Sequence, residues 1–526
     1  MSPFRSRVFT VLWIATVVSN IGTWMQNAAA GWLMTGLNPD PLIVSLVQVA
    51  TTLPMFLLAL PAGAFADILD RRRLIIVAHI GLTILIAGLA LLVQLELVTP
   101  LILLVFTFFA GVGAALIAPA WQAIVPQLVP RQDLPPAVAL NSVGLNISRA
   151  VGPALAGVII GVVGLAAPFW LNALSNLGVI AALIWWRPIE EFARHLPAER
   201  FGSAMRIGLR HASHNPHLRA TLLRALGFFL FGSAYWALLP LVARTRVEGG
   251  PELYGIFLGV IGAGAVVGAI GLPRLKGLLG PDRLVTAGTV GTALALVLFG
   301  LAREPVVAIV ASAVAGVSWI AVLATINVSA QVALPPWVRG RGLAVFATVM
   351  FGAMSLGSVV WGQVATVTGL PLTHFIAAAG ALVSIPLLWR WKLQTGAGLD
   401  MTPSMHWPAP VLSNEVEHDH GPVLVTVEYR VRAEDRDAFL EAIRAFAGQR
   451  QRDGAYGWGI FEDTAEPGRF VESFYLVSWL EHLRQHERVT QADKALQERV
   501  NAFHAGPNPP AVSHYVSAGA RGVHRD

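Results

Sequence analysis

Arg149 stands well inside an apolar stretch whose composition predicts a helix over about 138–161. It lies about eleven residues in, roughly 16 Å along a helix rising 1.5 Å per residue. A guanidinium keeps its proton, presents a planar fork of donors and is expensive in hydrocarbon, so at that depth it reads as functional by default. Two roles are open: recognition of an anionic or polar ligand in a wetted cavity, or satisfaction of the carbonyls that Pro153 frees. Asn20, Thr23, Trp24 and Asn27 fall at i, i+3, i+4 and i+7, one face of the first predicted helix. Polar groups at that depth face a cavity or bond to a neighbouring helix. Tyr235 and Trp236 in the seventh predicted helix are candidate counterparts, completing a candidate ligand-binding set around Arg149.

A second group concerns movement. Gly63, Asp67, Arg71, Arg72 and Arg73 surround the loop after the second predicted helix. A glycine lets helices approach closely, and an aspartate can meet helix N-terminal dipoles or arginines. Ordinary topology charge explains the arginines but not Gly63 and Asp67 at this spacing. In the fifth predicted helix Gly152, Pro153 and Gly157 permit a bendable, closely packed segment, although glycines there are also common in plain packing. Gly63, Asp67, Arg71, Arg72, Gly152, Pro153 and Gly157 form the candidate gating set. His79 and His374 are isolated, and packing or interfacial roles suit them better than proton transfer.

The C-terminal region carries Glu472, Trp479, His482, His486 and Asp493. His482 and His486 at i, i+4 could share a metal, but no third ligand is evident along the chain. No metal, cofactor or catalytic constellation is therefore expected. With no cysteine in the chain, disulfides, thiolate catalysis and cysteine zinc sites are excluded.

The elements that must position these residues are membrane helices. Of the 526 residues, 55% are hydrophobic and 13% charged, with a mean hydropathy of +0.62. Soluble chains carry about a quarter charged residues, so the bilayer is the main solvent. No charged side chain occurs from Val8 to Pro39, Pro41 to Ala66 or Leu97 to Leu128. Such runs exceed the ~20 residues that cross ~30 Å of hydrocarbon. Twelve spans are expected, at about 8–35, 42–66, 74–95, 100–119, 138–161, 167–186, 221–243, 254–273, 284–302, 305–326, 342–366 and 371–391. None contains Asp or Glu except Asp67 at an edge, so a carboxylate proton relay has no other candidate.

Basic residues flank the spans instead of clustering on one polar face, which argues against nucleic acid as a partner despite a pI near 10. Arg5, Arg7, Arg71–Arg73, Arg131, the Arg187–Arg219 stretch, Arg274, Lys276, Arg283, Arg339, Arg341, Arg390 and Lys392 lie on one side. Arg244, Arg246 and Arg303 lie on the other. The asymmetry predicts that both termini are cytoplasmic. The basic Met1–Arg7 leads into a span too long for a signal h-region, so that span is expected to stay as the first helix. Trp185, Trp186, Trp389 and Trp391 sit at span ends, as interfacial aromatics do.

The spans repeat. Gly152 and Gly157 in the fifth are matched at one offset by Gly357 and Gly362 in the eleventh. Asp67–Arg73 follows the second span as Arg274–Arg283 follows the eighth. The expected domains are a six-helix half (1–186), a cytoplasmic connector (187–220) and a second six-helix half (221–392). A linker (393–421), a soluble α+β domain (422–517) and a tail (518–526) follow. In the soluble domain, strands Val423–Val431, Ala455–Phe461, Arg469–Val477 and Ala511–Val516 and helices Glu434–Gln451 and Trp479–Phe503 give a βαββαβ order, suggesting a ferredoxin-like sandwich.

The run Gly63 to Arg73 resembles the major facilitator signature, with Ile68 standing where the pattern has arginine and Asp70 where it has glycine. Ser19 to Asn27, Pro119 to Ala123, Leu140 to Ser142 and Arg149 to Gly157 are similar to the subgroup of enterobactin exporters and transmembrane secretion effectors, over residues 1–392. The resemblance implies the major facilitator fold, an antiporter element at Gly152-Pro153 and proton-linked export of a small organic molecule such as a siderophore or drug. It also implies a bacterial inner membrane. One departure is Thr107, which stands where many exporters of the superfamily carry an arginine four residues before a glycine, here Gly111. The soluble domain resembles antibiotic-biosynthesis-monooxygenase-like dimeric barrels, implying dimerisation or regulation. An uptake permease, or a membrane-tethered sensor or enzyme acting through that domain, is the alternative.

Overall fold

The computed structural model describes residues 3–187, 201–335, 337–395 and 420–518, with 400–402, 404, 407, 416 and 417 between them. The side chains at 64, 66–68, 131, 201–207 and 487 lie outside the described set. Among the described residues, eleven helices are long and apolar enough to cross a membrane. They are α1 (Arg7–Leu37), α2 (Pro41–Ile68), α3 (Arg71–Gln94), α4 (Pro100–Ile124), α5 (Leu134–Val163) and α6 (Ala167–Trp185), then, beyond a short α7 (Phe201–His214), α8 (Pro216–Leu241), α9 (Pro251–Leu301), α10 (Pro305–Val332), α11 (Arg339–Thr368) and α12 (Leu370–Leu388). At 51 residues α9 would be about 76 Å long, far beyond one crossing. It breaks at Gly280, whose φ of 71° and ψ of 170° only glycine adopts readily, just before Pro281. The two sides of that break hold the eighth and ninth expected spans.

Polar residues at the ends of the apolar runs explain where the helices begin. Ser6 accepts from the Phe9 amide, Asp40 from those of Leu42 and Ile43, Asp70 from Arg73 and Thr99 from Ile102. Proline follows the cap at Pro41 and Pro100, where its missing N–H costs nothing. Apolar side chains such as Val162, Ile270, Leu278 and Val367 stay exposed on these helices, the pattern expected where lipid replaces water.

The matched glycines sit at equivalent close approaches. A methyl on Gly152 would meet Trp24 Cβ at 2.6 Å and the Ile21 carbonyl at 2.8 Å, so α5 lies tight on α1 there. On Gly157 it would meet the Pro251 carbonyl at 2.7 Å, on α9. In the second half, Gly357 is pressed against Leu230 and Ser233 of α8, and Gly362 against Leu42 and Ser45 of α2. Each half therefore offers one helix that packs through glycine on its own first helix and on the other half.

These spanning helices form one compact unit, apart from the start of α8, the end of α10 and the start of α11. The second comprises α7, the segment Ser329–Val345 and the chain from Gln394 on. Its strands β1 (Val423–Arg430), β2 (Tyr456–Glu462), β3 (Arg469–Leu476) and β4 (Ala511–Val516) form an antiparallel sheet in the order β2-β3-β1-β4. Period-two alternation buries Val423, Val425, Val427 and Tyr429 beneath α13 (Arg436–Arg452) and its neighbours. The expected single helix over 479–503 is two, α14 (Trp479–Arg488) and α15 (Gln491–Asn501). Thr490 and Asp493 form a reciprocal capping box that starts α15 afresh. Within this unit Arg210 of α7 donates to the Gly454 carbonyl (2.8 Å), and Asn215 to that of Ala333 (2.8 Å). Leu209 of α7 is exposed.

Candidate functional site

A cavity of about 230 Å³ opens among α1, α2 and α5 of the first half and α8, α9, α10 and α11 of the second. Its wall is mainly apolar and aromatic, with Trp24, Trp236, Tyr254, Trp319, Phe351 and Met354 prominent, and amide and hydroxyl groups come from Asn27, Gln48, Thr51 and Thr52. Among the described residues, Arg149 is the one charged side chain lining it. Apolar walls with a few placed polar groups are what small-molecule pockets generally show.

Arg149 is half-buried, with its guanidinium 5.2 Å from the centre of the Trp24 ring. Its Nε is buried without a hydrogen-bond partner among the described residues. A cation stacked on an indole keeps its in-plane donors available. The indole N–H of Trp236 is likewise buried without a well-formed hydrogen bond, and its ring stands 5.5 Å from both Tyr235 and Trp319. The site thus carries unmatched donors in an apolar enclosure, an arrangement that favours a ligand bearing acceptors or negative charge.

Four of the seven expected binding residues line the cavity: Arg149, Trp24, Asn27 and Trp236. The other three do not. Tyr235 is fully buried behind Trp236, packed 6.0 Å from Phe299 and 6.1 Å from Trp319. Thr23 is exposed, its hydroxyl returned to the Ser19 carbonyl at 3.1 Å. Asn20 is half-buried but outside the lining. A helical face of about 100° is wider than the sector that meets the cavity, so equal spacing did not mean equal surroundings. Other polar groups of α1 hold helices together: Ser19 donates to Asn176 (2.8 Å), and Gln26 accepts from Asn172 (2.5 Å). Gln48, Thr51, Thr52, Tyr254 and Trp319 were not expected. Thr52 meets Ser355 at 2.8 Å across the halves, and the sequence signal for it was only a polar pair within an apolar run.

The gating candidates separate. Gly152 and Gly157 are at close approaches, as described, and Pro153 itself lines the cavity. Gly63 is not such a point: a methyl there meets nothing within 4 Å among the described residues. The side chain of Asp67 lies outside the described residues. Arg71 donates to the Ala123 carbonyl (3.3 Å), and Arg72 to those of Leu183 (2.7 Å) and Ile184 (3.0 Å). These carbonyls end α4 and α6, so both arginines cap helices of their own half. Sequence reading missed an ion pair in the other half: the buried Arg224 binds the half-buried Asp282 at 2.8 Å and the Trp391 carbonyl at 3.1 Å. Thr107 is buried, and Gly111 packs on Pro54. His79 and His374 are buried, each with Nδ1 near the carbonyl four residues back.

In the second unit Glu472 is fully buried, held by Arg450 (3.3 Å) and by the Trp458 indole (2.9 Å). Asp493 accepts two hydrogen bonds from Arg452 at 2.8 Å. Both are thereby structural. Burial, reinforced by its histidine neighbours, pushes His482 down to about 3.

Solved structures share the architecture of the spanning region. A transporter of the POT family, in complex with a thioalcohol-conjugated peptide, matches with a TM-score of 0.60 at 13% identity, covering 73% of this chain and 96% of that one. A bacterial homologue of the human lysosomal transporter Spinster matches with a TM-score of 0.56 at 14% identity, over 74% and 97%. The fold is that of a multi-pass membrane transporter. The family described as transmembrane secretion effector matches residues 1–522, and the chain belongs to that major facilitator family. Among curated relatives, the staphyloferrin A transporter of Staphylococcus aureus is 24% identical over 263 residues, 49% of this chain and 65% of that protein. The multidrug efflux pump Tap of Mycolicibacterium fortuitum is 26% identical over 385 residues, 71% and 91%. Macrolide efflux protein A of Streptococcus pyogenes is 24% identical over 386 residues, 71% and 93%.

Proposed function

We propose that this protein exports a small organic molecule, of siderophore or drug type, across a bacterial inner membrane in exchange for protons. The observation that carries the reading is the aromatic cavity between the two halves with Arg149 as its single charge among the described residues. Relatives named for siderophore transport and drug efflux support the substrate class. An apolar, indole-rich wall suits a large ring-bearing substrate, and the unmatched donors of Arg149 and Trp236 suit carboxylates or carbonyls on it.

The mechanism is alternating access about this cavity. With both termini cytoplasmic, α1, α5, α8 and α11 end at the outer face, where α2 and α9 begin. Contacts between the halves are found there: Arg244 to the Thr35 hydroxyl (3.0 Å), Trp32 stacked on Tyr254 (6.0 Å), Gly157 against Pro251, and Gly362 against Ser45. They close the outer side, so the cavity takes substrate from the cytoplasm. Opening outward requires the Gly152–Gly157 segment of α5 to slide or bend on α1 and α9, and Pro153 supplies the missing hydrogen bond that lets it do so. Among the described residues no carboxylate lines the cavity, so proton coupling acts through groups outside it, with Asp67 the remaining candidate in the sequence. The C-terminal domain serves assembly or regulation, its uncovered sheet face presenting Tyr456, Tyr475 and Tyr515 to a second copy.

Everted vesicles test the proposal: export in the cell becomes uptake into the vesicle lumen. Accumulation of a hydroxamate or carboxylate siderophore, or of a macrolide, that collapses when the pH gradient is dissipated is expected. Accumulation only in right-side-out vesicles would make the protein an uptake permease and overturn the direction.

A further inference from the structure

We propose that the C-terminal domain holds a divalent transition-metal ion on His482, His486 and His514. Sequence spacing offered two imidazoles one turn apart on α14. The third comes from β4, where antiparallel pairing sets His514 opposite Val425, itself buried on the face that the helices cover. The His482 ring is 4.8 Å from that of His486 and 4.6 Å from that of His514. One candidate ligand atom from each residue lies within 4.8 Å of the other two.

A zinc ion held at ~2.0–2.1 Å by three imidazoles sets their nitrogens about 3.3 Å apart. The contraction needed is about 1.5 Å, which side-chain rotation supplies without moving α14 or β4. The second observation is His482 itself. It is 2% exposed, and both ring nitrogens are buried without a hydrogen-bond partner among the described residues. A neutral imidazole carries one donor and one acceptor, and leaving both unmet in an interior is costly. Core histidines are ordinarily satisfied, as the two in the spanning helices are at Nδ1. A shared cation satisfies the acceptor of His482 and gives His486 and His514 the same role.

The donor set identifies the class of ion. Three imidazoles without a carboxylate suit Zn²⁺, Co²⁺, Ni²⁺ or Cu²⁺ and disfavour Mg²⁺ and Ca²⁺, which take oxygen ligands. Arg450 is the nearby cation, and its charge is met by Glu472 at 3.3 Å while its face stacks on Trp407 at 5.0 Å. The indole of Trp479, 5.1 Å from His482, and that of Trp407, 5.1 Å from His486, shield the site from bulk water. Three protein ligands leave a fourth position for water or a small anion.

The test uses the full, untagged chain in detergent, stripped with chelator and then exposed to Co²⁺ or Zn²⁺. Wild type should hold one equivalent of Zn²⁺ per chain after dialysis and show visible d–d bands with Co²⁺. His514→Gln and His486→Gln should each weaken binding by at least tenfold, while His214→Gln, exposed on α7, should bind as wild type. His486 is half-buried and contributes little to the core, so that variant separates lost ligation from lost folding, checked by matched thermal unfolding of the apo proteins. Wild type with no retained Zn²⁺ and no cobalt spectrum, or both glutamine variants binding as tightly as wild type, would overturn the site.

Discussion

Arg149 concentrates the functional chemistry at the scale of single residues. Its ring contact with Trp24 and its Nε, unpartnered among the described residues, suit the recognition role proposed for it. Arg149→Gln should lower flux about 10- to 100-fold, the equivalent of losing about 1.5–3 kcal/mol of charge-assisted hydrogen bonding. Arg149→Lys should fall nearly as far, because an ammonium keeps the charge but not the fork. Flux per folded molecule, with expression measured alongside, checks this; normal transport in both variants would remove Arg149 from the site. Asp453 gives a second residue-scale prediction, in the C-terminal domain. Burial pushes it up to about 6, against its pairing with Arg452. The folded state therefore binds its proton more readily than the unfolded chain, and stability falls as pH rises from about 4 through about 6. Asp453→Asn should lose that dependence, so thermal unfolding of variant and wild type should diverge more at pH 7 than at pH 4.5.

The elements were more legible in the sequence than the site. Apolar runs bounded by Ser6, Asp40, Asp70 and Thr99 marked helices because caps and charge-free length are local properties. The merging of two expected spans into α9 and the splitting of 479–503 into α14 and α15 both turn on one or two backbone positions, Gly280 and the Thr490 capping box. The cavity wall was half legible. Helical spacing found Trp24 and Asn27 but could not say where the cavity's sector ends, so Thr23 was carried in. Gln48, Thr51 and Tyr254 depend on which helices meet, which periodicity does not encode. The same limit hid His514, brought to α14 only by sheet register. Glycine shows the contrast between motif and contact. Gly63→Ala should change stability and flux little, since nothing among the described residues lies within 4 Å. Gly152→Ala puts a methyl 2.6 Å from Trp24 Cβ and should cost about 1–3 kcal/mol of overpacking. Melting of the two variants in detergent distinguishes them, and equal shifts would contradict the packing described.

For the whole molecule, the spanning helices enclose the cavity around Arg149, and the chain contains no cysteine, so any introduced thiol is unique. The proposed cytoplasmic orientation of both termini predicts that a reporter fused after Lys392 behaves as cytosolic; a periplasmic signal there would invert the topology and the proposed closed face with it. The cavity as substrate route is tested most directly by thiol block of transport. Asn27→Cys and Thr23→Cys lie one turn apart on α1, one lining the cavity and one exposed outside its lining. A membrane-permeant maleimide should stop efflux through the Asn27→Cys protein, with substrate slowing its reaction. It should leave Thr23→Cys flux intact even when that thiol is labelled. Full transport by a completely labelled Asn27→Cys protein would contradict the account.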